Sequence, residues 1–374
     1  MSQPPLGLYI HLPWCERKCP YCDFNSHETN EIPEQAYIEA LLQDLRQDSD
    51  RVQGRTIETL FIGGGTPSLF SASAVTELMA GIAGIVSLAP NLEATMEANP
   101  GSAEAEKFAG FRAAGINRLS LGVQSFNNEQ LGALGRVHDR EQALTAIASI
   151  REAGFDNFNL DLMHGLPRQQ PEAAAADLET ALGFAPPHLS WYQLTIEPNT
   201  AFNKRPPLLP VEDELADIQD RGEELLASAG MDQYEVSAYA RPGRECRHNL
   251  NYWQFGDYLG IGAGAHGKVT STDGTIRRYA KTRGPQDYLS ASSHRGERIL
   301  SPAEAVSEFM LYALRLNEGF TIEAFEQRCG NPFSTVAEQV AGLIDRGLLQ
   351  REENRVLPTE LGRRFLDSVI AEFL

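Results

Sequence analysis

Cysteine is scarce in this chain: five in 374 residues, at positions 15, 19, 22, 246 and 329. So small and odd a number does not build a disulfide framework. Long apolar runs are missing too. No stretch reaches the roughly 18 apolar residues that read as a membrane-spanning helix. The opening MSQPPLGLYIHLPWCERKC has no basic segment followed by an apolar one, so no secretory leader is expected and the expected location is cytoplasmic. Positive charge is short: 32 Lys+Arg face 51 Asp+Glu, a net of −19. Such a surface repels phosphate backbones and anionic lipid, which excludes a general nucleic-acid or membrane binder. Internal repeats and low-complexity tracts are absent. The composition, 42% hydrophobic and 22% charged, is that of ordinary folded protein.

Alternation is what the chain has. Strand-like runs at 7–14, 59–65, 93–99, 118–125, 158–165 and 188–197 alternate with amphipathic segments at 34–47, 73–86, 102–114, 140–153 and 172–183. That rhythm implies βαβ units and a parallel sheet. The expected fold class is α/β: an incomplete (β/α)6 TIM-like barrel, with its site in the loops after the strands' C-terminal ends. A flat doubly wound sheet is the structural rival. Residues 198–210 break the pattern, and a helix follows at 211–229. Ser301-Pro302-Ala303-Glu304 starts another helix with a capping Ser, a first-turn Pro and a Glu three residues on. From there the chain reads helix, short helix, helix, two short strands around Glu352-Glu353-Asn354, and a terminal helix, a winged-helix-like α+β pattern. Residues 295–374 carry nine Arg, no Lys and thirteen acids. The footprint for DNA is missing, and a packing or partner role is expected. The expected domains are 1–230, a connecting region 231–300, and 301–374.

Three of the five cysteines stand together in Cys15-Glu-Arg-Lys-Cys19-Pro-Tyr-Cys22. Structural zinc usually takes four ligands and a second knuckle, and Cys246 and Cys329 stand alone. Iron–sulfur cubanes are normally held by four Cys, so three would leave one iron open to a small molecule. A zinc-binding interaction loop is the rival. CxxxCxxC after a first strand resembles the radical S-adenosylmethionine (SAM) superfamily. The resemblance continues in Tyr9-Ile10-His11-Leu12-Pro13-Trp14-Cys15, Gly63-Gly64-Gly65-Thr66-Pro67-Ser68, Gly122-Val123-Gln124-Ser125-Phe126 and Asp161-Leu162-Met163-His164-Gly165-Leu166-Pro167. These resemble the branch that holds oxygen-independent coproporphyrinogen III dehydrogenase and its haem-chaperone relatives.

The resemblance implies a [4Fe-4S] cluster on Cys15, Cys19 and Cys22, and SAM contacts at Tyr9, Gly64, Gly65, Thr66, Glu97, Gln124, Arg136 and Asp161. His164 is given no role. His248-Asn249-x-x-Tyr252-Trp253, followed by Tyr-Leu-Gly-Ile-Gly-x-Gly-Ala-His-Gly, resembles the haem-chaperone branch. It implies haem as bound cargo, with His248, Asn249, Tyr252 and Trp253 as its contacts. Arg241, Arg244 and Arg247 recur every third residue, and cationic side chains of that kind suit haem propionates. Gly262-x-Gly264-x-x-Gly267 nominally matches a dinucleotide fingerprint. A hairpin around Asp273-Gly274 follows it, where a helix is required.

Two features depart from the dehydrogenase. Residue 24 is Phe where that branch has a further Cys, and the chain opens almost directly at strand 1. The expected function is a haem chaperone delivering to haem-dependent respiratory proteins, with oxidative decarboxylation of coproporphyrinogen III as the alternative. The implied partners are haem, acceptor haem proteins such as respiratory cytochromes, an electron donor and a second copy of the chain, with peripheral contact to membrane proteins.

Overall fold

Residues Leu6–Leu12 form β1, whose LGLYIHL has no charged side chain and is almost wholly buried. Strands covered on both faces read as continuous apolar runs. In the computed structural model, which describes residues 3–101, 105–290 and 294–374, β1 pairs in parallel with β2 (Ile57–Gly64). The parallel ladder continues through β3 (Leu88–Ala98), β4 (Arg118–Gln124), β5 (Phe158–His164) and β6 (His188–Gln193). These are the six strands expected.

The crossovers run through α1 (Glu34–Gln47), α2 (Ala72–Ala83), α3 (Arg140–Glu152) and α4 (Pro171–Gly183). In α1 the buried Tyr37, Ile38, Leu41, Leu42 and Leu45 fall on one stripe. Asp139 and Gln142 close a capping box on α3. Between β3 and β4 the described residues include a helix at Phe108–Ala113, and residues 102–104 of the expected 102–114 segment lie outside the described residues. After β6 comes α5 (Glu212–Ser228).

Residues 231–300 do more than connect. They form β7 (Asp232–Glu235), β8 (Ala238–Ala240), the helix α6 (Arg247–Trp253), β9 (Asp257–Ile261), β10 (His266–Thr270), β11 (Ile276–Lys281) and β12 (His294–Ile299). The spatial order is β12-β11-β10-β9-β1-β2-β3-β4-β5-β6-β8-β7. The sheet is linear, so the barrel is incomplete. β9 lies parallel to β1, while β7, β8 and β10–β12 run antiparallel to their neighbours. The β10–β11 hairpin turns at Asp273-Gly274, where Gly274 has φ +87°.

These added strands escaped the periodicity because several of their buried side chains are charged. Lys268 in β10 bonds Asp257 at 2.9 Å, and Lys281 in β11 bonds Asp44 and Asp48 at 2.5 and 2.6 Å. Buried charges are tolerated when paired.

Ser301 caps α7 (Pro302–Ala313) with Glu304 in a capping box, as the sequence predicts. The rest of the chain builds a second core around Phe309, Met310, Phe325, Leu343, Val356 and Val369, which Phe255 and Ile276 join from the sheet side. Its three-stranded sheet includes Phe320–Thr321, a pair too short to show a period. Among the described residues, no helix is long and apolar enough to cross a membrane.

Candidate functional site

The chain leaves β1 at Leu12, and Trp14–Cys15 then pairs in parallel with His27–Glu28. That pairing closes the loop holding all three clustered cysteines, and inside it the Cys22 N–H donates to the Cys19 carbonyl at 3.1 Å. Cys15 is buried; Cys19 and Cys22 are half-buried. The Sγ of Cys22 lies 3.6 Å from Ser26 Oγ, and the Sγ of Cys19 lies 3.7 Å from Arg136 Nη1. Burial pushes the Cys15 thiol up, with the neighbouring Cys22 and Cys19 adding to the rise and the Thr66 and Ser26 hydroxyls opposing it. No three His, Cys, Asp or Glu side chains among the described residues are gathered tightly enough for one metal ion. Cys246 and Cys329 are buried elsewhere, their thiols pushed up to about 11 by burial.

All three cysteines border one cavity of about 520 Å³ at the strands' C-terminal ends. Seven of the eight residues implied for SAM border it too: Gly64, Gly65, Thr66, Glu97, Gln124, Arg136 and Asp161. A Cβ on Gly65 would stand 2.4 Å from the Trp14 carbonyl, and Gly64 has φ +122°. Only glycine fits that turn. The Gly64 N–H donates to Glu97 Oε2 at 3.0 Å. Burial raises the Glu97 carboxyl to about 7, Asp161 adds to the rise, and the Gly64 N–H opposes it.

Arg136 donates to Asn99 Oδ1 and to the Gly122 carbonyl at 2.6 and 2.8 Å. Asn99 in turn donates to Thr66 Oγ1 at 3.1 Å. Asp161 accepts from Ser120 Oγ and Asn159 Nδ2 at 2.9 and 2.7 Å; burial raises its carboxyl against those donors. Gln124 takes φ +69°, a conformation rare outside glycine, and accepts from the Tyr192 hydroxyl at 2.8 Å. Tyr9, the eighth residue, does not reach the wall. Its hydroxyl meets His11 Nδ1 at 3.0 Å and its ring stacks on Phe61.

The cavity also takes in residues that the sequence reading did not single out: Arg118, Asn159, His188, Ser190, Tyr192 and Arg315. For most, a signal existed. Arg118-x-Ser120-x-Gly122-x-Gln124, Asn159-x-Asp161 and His188-x-Ser190-x-Tyr192 alternate polar or small residues along otherwise apolar strands, the period of a lined interior. Asn159 Oδ1 meets His188 Nδ1 at 2.7 Å, and His188 Nε2 meets the Tyr234 hydroxyl at 2.8 Å.

The His-Asn-x-x-Tyr-Trp motif is the helix α6, and the structure sends its four side chains to different places. Asn249 and Trp253 border the cavity. His248 turns into the barrel floor, where Nδ1 meets Thr59 Oγ1 at 3.0 Å and the ring lies 5.3 Å from Phe61. Burial, with Arg118 beside it, lowers the His248 imidazole to about 4. Tyr252 faces the C-terminal core: its hydroxyl is 3.3 Å from that of Tyr312. The four therefore form no single haem face, because four residues on a two-turn helix point around it.

Arg241 and Arg244 are exposed just after β8, whose last residue, Ala240, pairs with the first residue of β6. Arg247 donates to the Asn91 carbonyl at 2.6 Å. This trio sits at the foot of the strands, near His188, and none of the three is among the residues that border the cavity. His164 is buried against Trp191, ring centroids 4.1 Å apart, and burial lowers it to about 4.

Four donors of the cavity wall are left over. Arg118 Nε, Arg136 Nε, Trp253 Nε1 and Arg315 Nε are buried and have no hydrogen-bond partner among the described residues. Buried donors without acceptors are costly, so these four N–H groups are open to acceptors on a ligand.

Comparison with known proteins places this geometry. Residues 9–181 match the Radical SAM superfamily and residues 300–365 the HemN C-terminal domain. The chain is 48% identical over 376 residues to "Heme chaperone HemW" of Haemophilus influenzae, covering 99% of this chain and 98% of that one. It is 49% identical over 372 residues to "Heme chaperone HemW" of Escherichia coli, with the same coverage. In three dimensions it resembles the coproporphyrinogen III oxidase HemN of Escherichia coli with a TM-score of 0.84 at 24% identity, covering 99% of this chain and 90% of that one. At that identity the likeness is one of fold.

Proposed function

Since the chain belongs to the radical SAM superfamily and, within it, to the HemW family of haem chaperones, we propose that it binds haem as cargo and delivers it to haem-dependent respiratory proteins. The observation that carries this reading is the single cavity whose wall takes in the three thiols, seven candidate SAM contacts, Asn249, Trp253 and Arg315.

Cys15, Cys19 and Cys22 are the ligands of a [4Fe-4S] cluster in this proposal. All three border the one cavity, and three thiolates on a cubane leave its fourth iron open to a small molecule. When bound, the cluster and SAM supply one-electron chemistry at the sulfonium. The chain's own residues orient and shield. Arg136 offers its unpartnered Nε to the SAM carboxylate, Glu97 accepts from the ammonium, Asp161 and Gln124 face the ribose, and Gly64 and Gly65 let the backbone come close. Asn249 and Trp253 are the haem-side contacts that the geometry favours. His248, held by Thr59, stoppers the floor. An electron donor and a homodimer belong to the same proposal.

The test is anaerobic reconstitution with iron and sulfide, followed by titration with haem and addition of an apo-cytochrome. Stoichiometric haem binding and transfer are expected, together with iron and labile sulfide that are lost when Cys19 becomes Ser. Rapid vinyl formation from coproporphyrinogen III, without haem transfer, would replace this reading with the oxidative decarboxylase.

A further inference from the structure

Arg315 follows α7 in the C-terminal part of the chain, yet it borders the barrel's cavity. The turn that carries it is stitched to the sheet's edge. Leu316 forms a bridge with Glu235 of β7, Asn317 N–H donates to the Tyr234 carbonyl at 3.0 Å, and Asn317 Nδ2 donates to the Gln233 carbonyl at 2.7 Å. The Arg315 guanidinium then lies over the Trp253 ring, 4.6 Å from its centroid. A plane stacked on an indole keeps its N–H fork in one orientation.

The fork has no carboxylate within ion-pair distance among the described residues, although the buried Glu235 carboxyl feels its charge. Among the described residues no acid lies within 4 Å of Arg315, and both Arg315 Nε and Trp253 Nε1 are buried without a partner. Glu235 borders the same cavity but accepts from the Ser237 N–H at 3.2 Å. Arg315, Tyr192 and Ser237 also border a second cavity of about 430 Å³, which lies between β6, α5 and the C-terminal core. The arginine thus stands where two spaces meet.

We infer that Arg315, backed by Trp253, is a carboxylate seat for the cargo, binding a propionate of a planar tetrapyrrole, and that the exposed Arg241 and Arg244 are not. The inference rests on the haem-cargo reading. It differs from the SAM carboxylate site, which belongs to Arg136 beside Cys19.

The experiment titrates the reconstituted full-length protein with iron protoporphyrin IX and with its dimethyl ester, in which both propionates are uncharged. The diacid is expected to bind about tenfold or more tightly than the ester, since hydrogen bonds to charged groups are the strong ones. Arg315→Ala should bring the diacid to the ester's affinity and leave both the ester and SAM unchanged. Arg315→Lys should recover part of the difference, and Arg241→Ala with Arg244→Ala should change nothing. Equal binding of diacid and ester by the unmodified protein overturns the seat, even if Arg315→Ala fails to fold. So does a diacid affinity in Arg315→Ala within twofold of the original. If the unmodified protein binds neither porphyrin, the haem-cargo reading itself falls; if it binds both alike, only the seat does.

Discussion

Glu97 is buried beside Asp161, and its carboxyl releases its proton near pH 7 instead of 4.5. A ligand that brings an ammonium group selects the ionised form, so only the fraction of protein with Glu97 ionised is ready to bind it. With a pKa of about 7, that fraction rises about tenfold between pH 6 and pH 8. SAM affinity should rise by a similar factor over that interval and become flat in Glu97→Gln, as read by titration calorimetry at both pH values. A steeper loss toward high pH would assign Glu97 the opposite role. At this scale the sequence disclosed whatever its neighbours in the chain announced: the thiols, the glycine run, Glu97 near the end of its strand and Asp161 within one. It concealed Arg315, which is remote from the other cavity residues in the chain and shares their wall only after folding. It also concealed the fate of His248, because spacing along a helix says which residues are near one another and not which way each faces.

Among the elements, α5 shows how tightly the barrel's outer layer meets the strands. Gly222 faces Trp191 of β6, and a Cβ there would fall 1.9 Å from the indole. Trp191 is itself buried against His164, leaving the next residue, Tyr192, to face the cavity. Gly222→Ala should therefore cost about 1–3 kcal/mol through overpacking, seen as a lower midpoint in denaturant with an unchanged slope. A change within 0.5 kcal/mol, about the level of a neutral surface substitution, would mean that the helix stands off the strand. The six parallel strands and their helices were readable because burial on both faces imposes apolar runs and caps mark the helix starts. The strands of 231–300 were not, because Lys268 and Lys281 look like surface residues until Asp257, Asp44 and Asp48 are seen beside them.

For the molecule as a whole, Phe255 is one of several residues that join the barrel to the C-terminal core, beside Ile276, the Tyr252–Tyr312 contact and the Arg278–Glu308 ion pair. Phe255 follows α6 with φ +58°, yet its ring packs 5.8 Å from Phe309 inside the C-terminal core, with Lys268 Nζ 4.1 Å above it. Calorimetry should show one cooperative transition for the unmodified chain. Phe255→Ala should remove about 3–5 kcal/mol and split that transition in two; a single peak merely displaced downward would show that other contacts bind the halves together. The winged-helix-like pattern was legible, but its reach into the barrel through Arg315 and Tyr312 was not, since no local rule links residue 253 to residue 315. At the strands' foot, His248, Glu93, Arg118 and His188 are all buried. Those four plugs make the floor the least accessible part of the barrel, so a water-borne thiol reagent should mark Cys19 and Cys22, which are half-buried, long before anything reaches that floor.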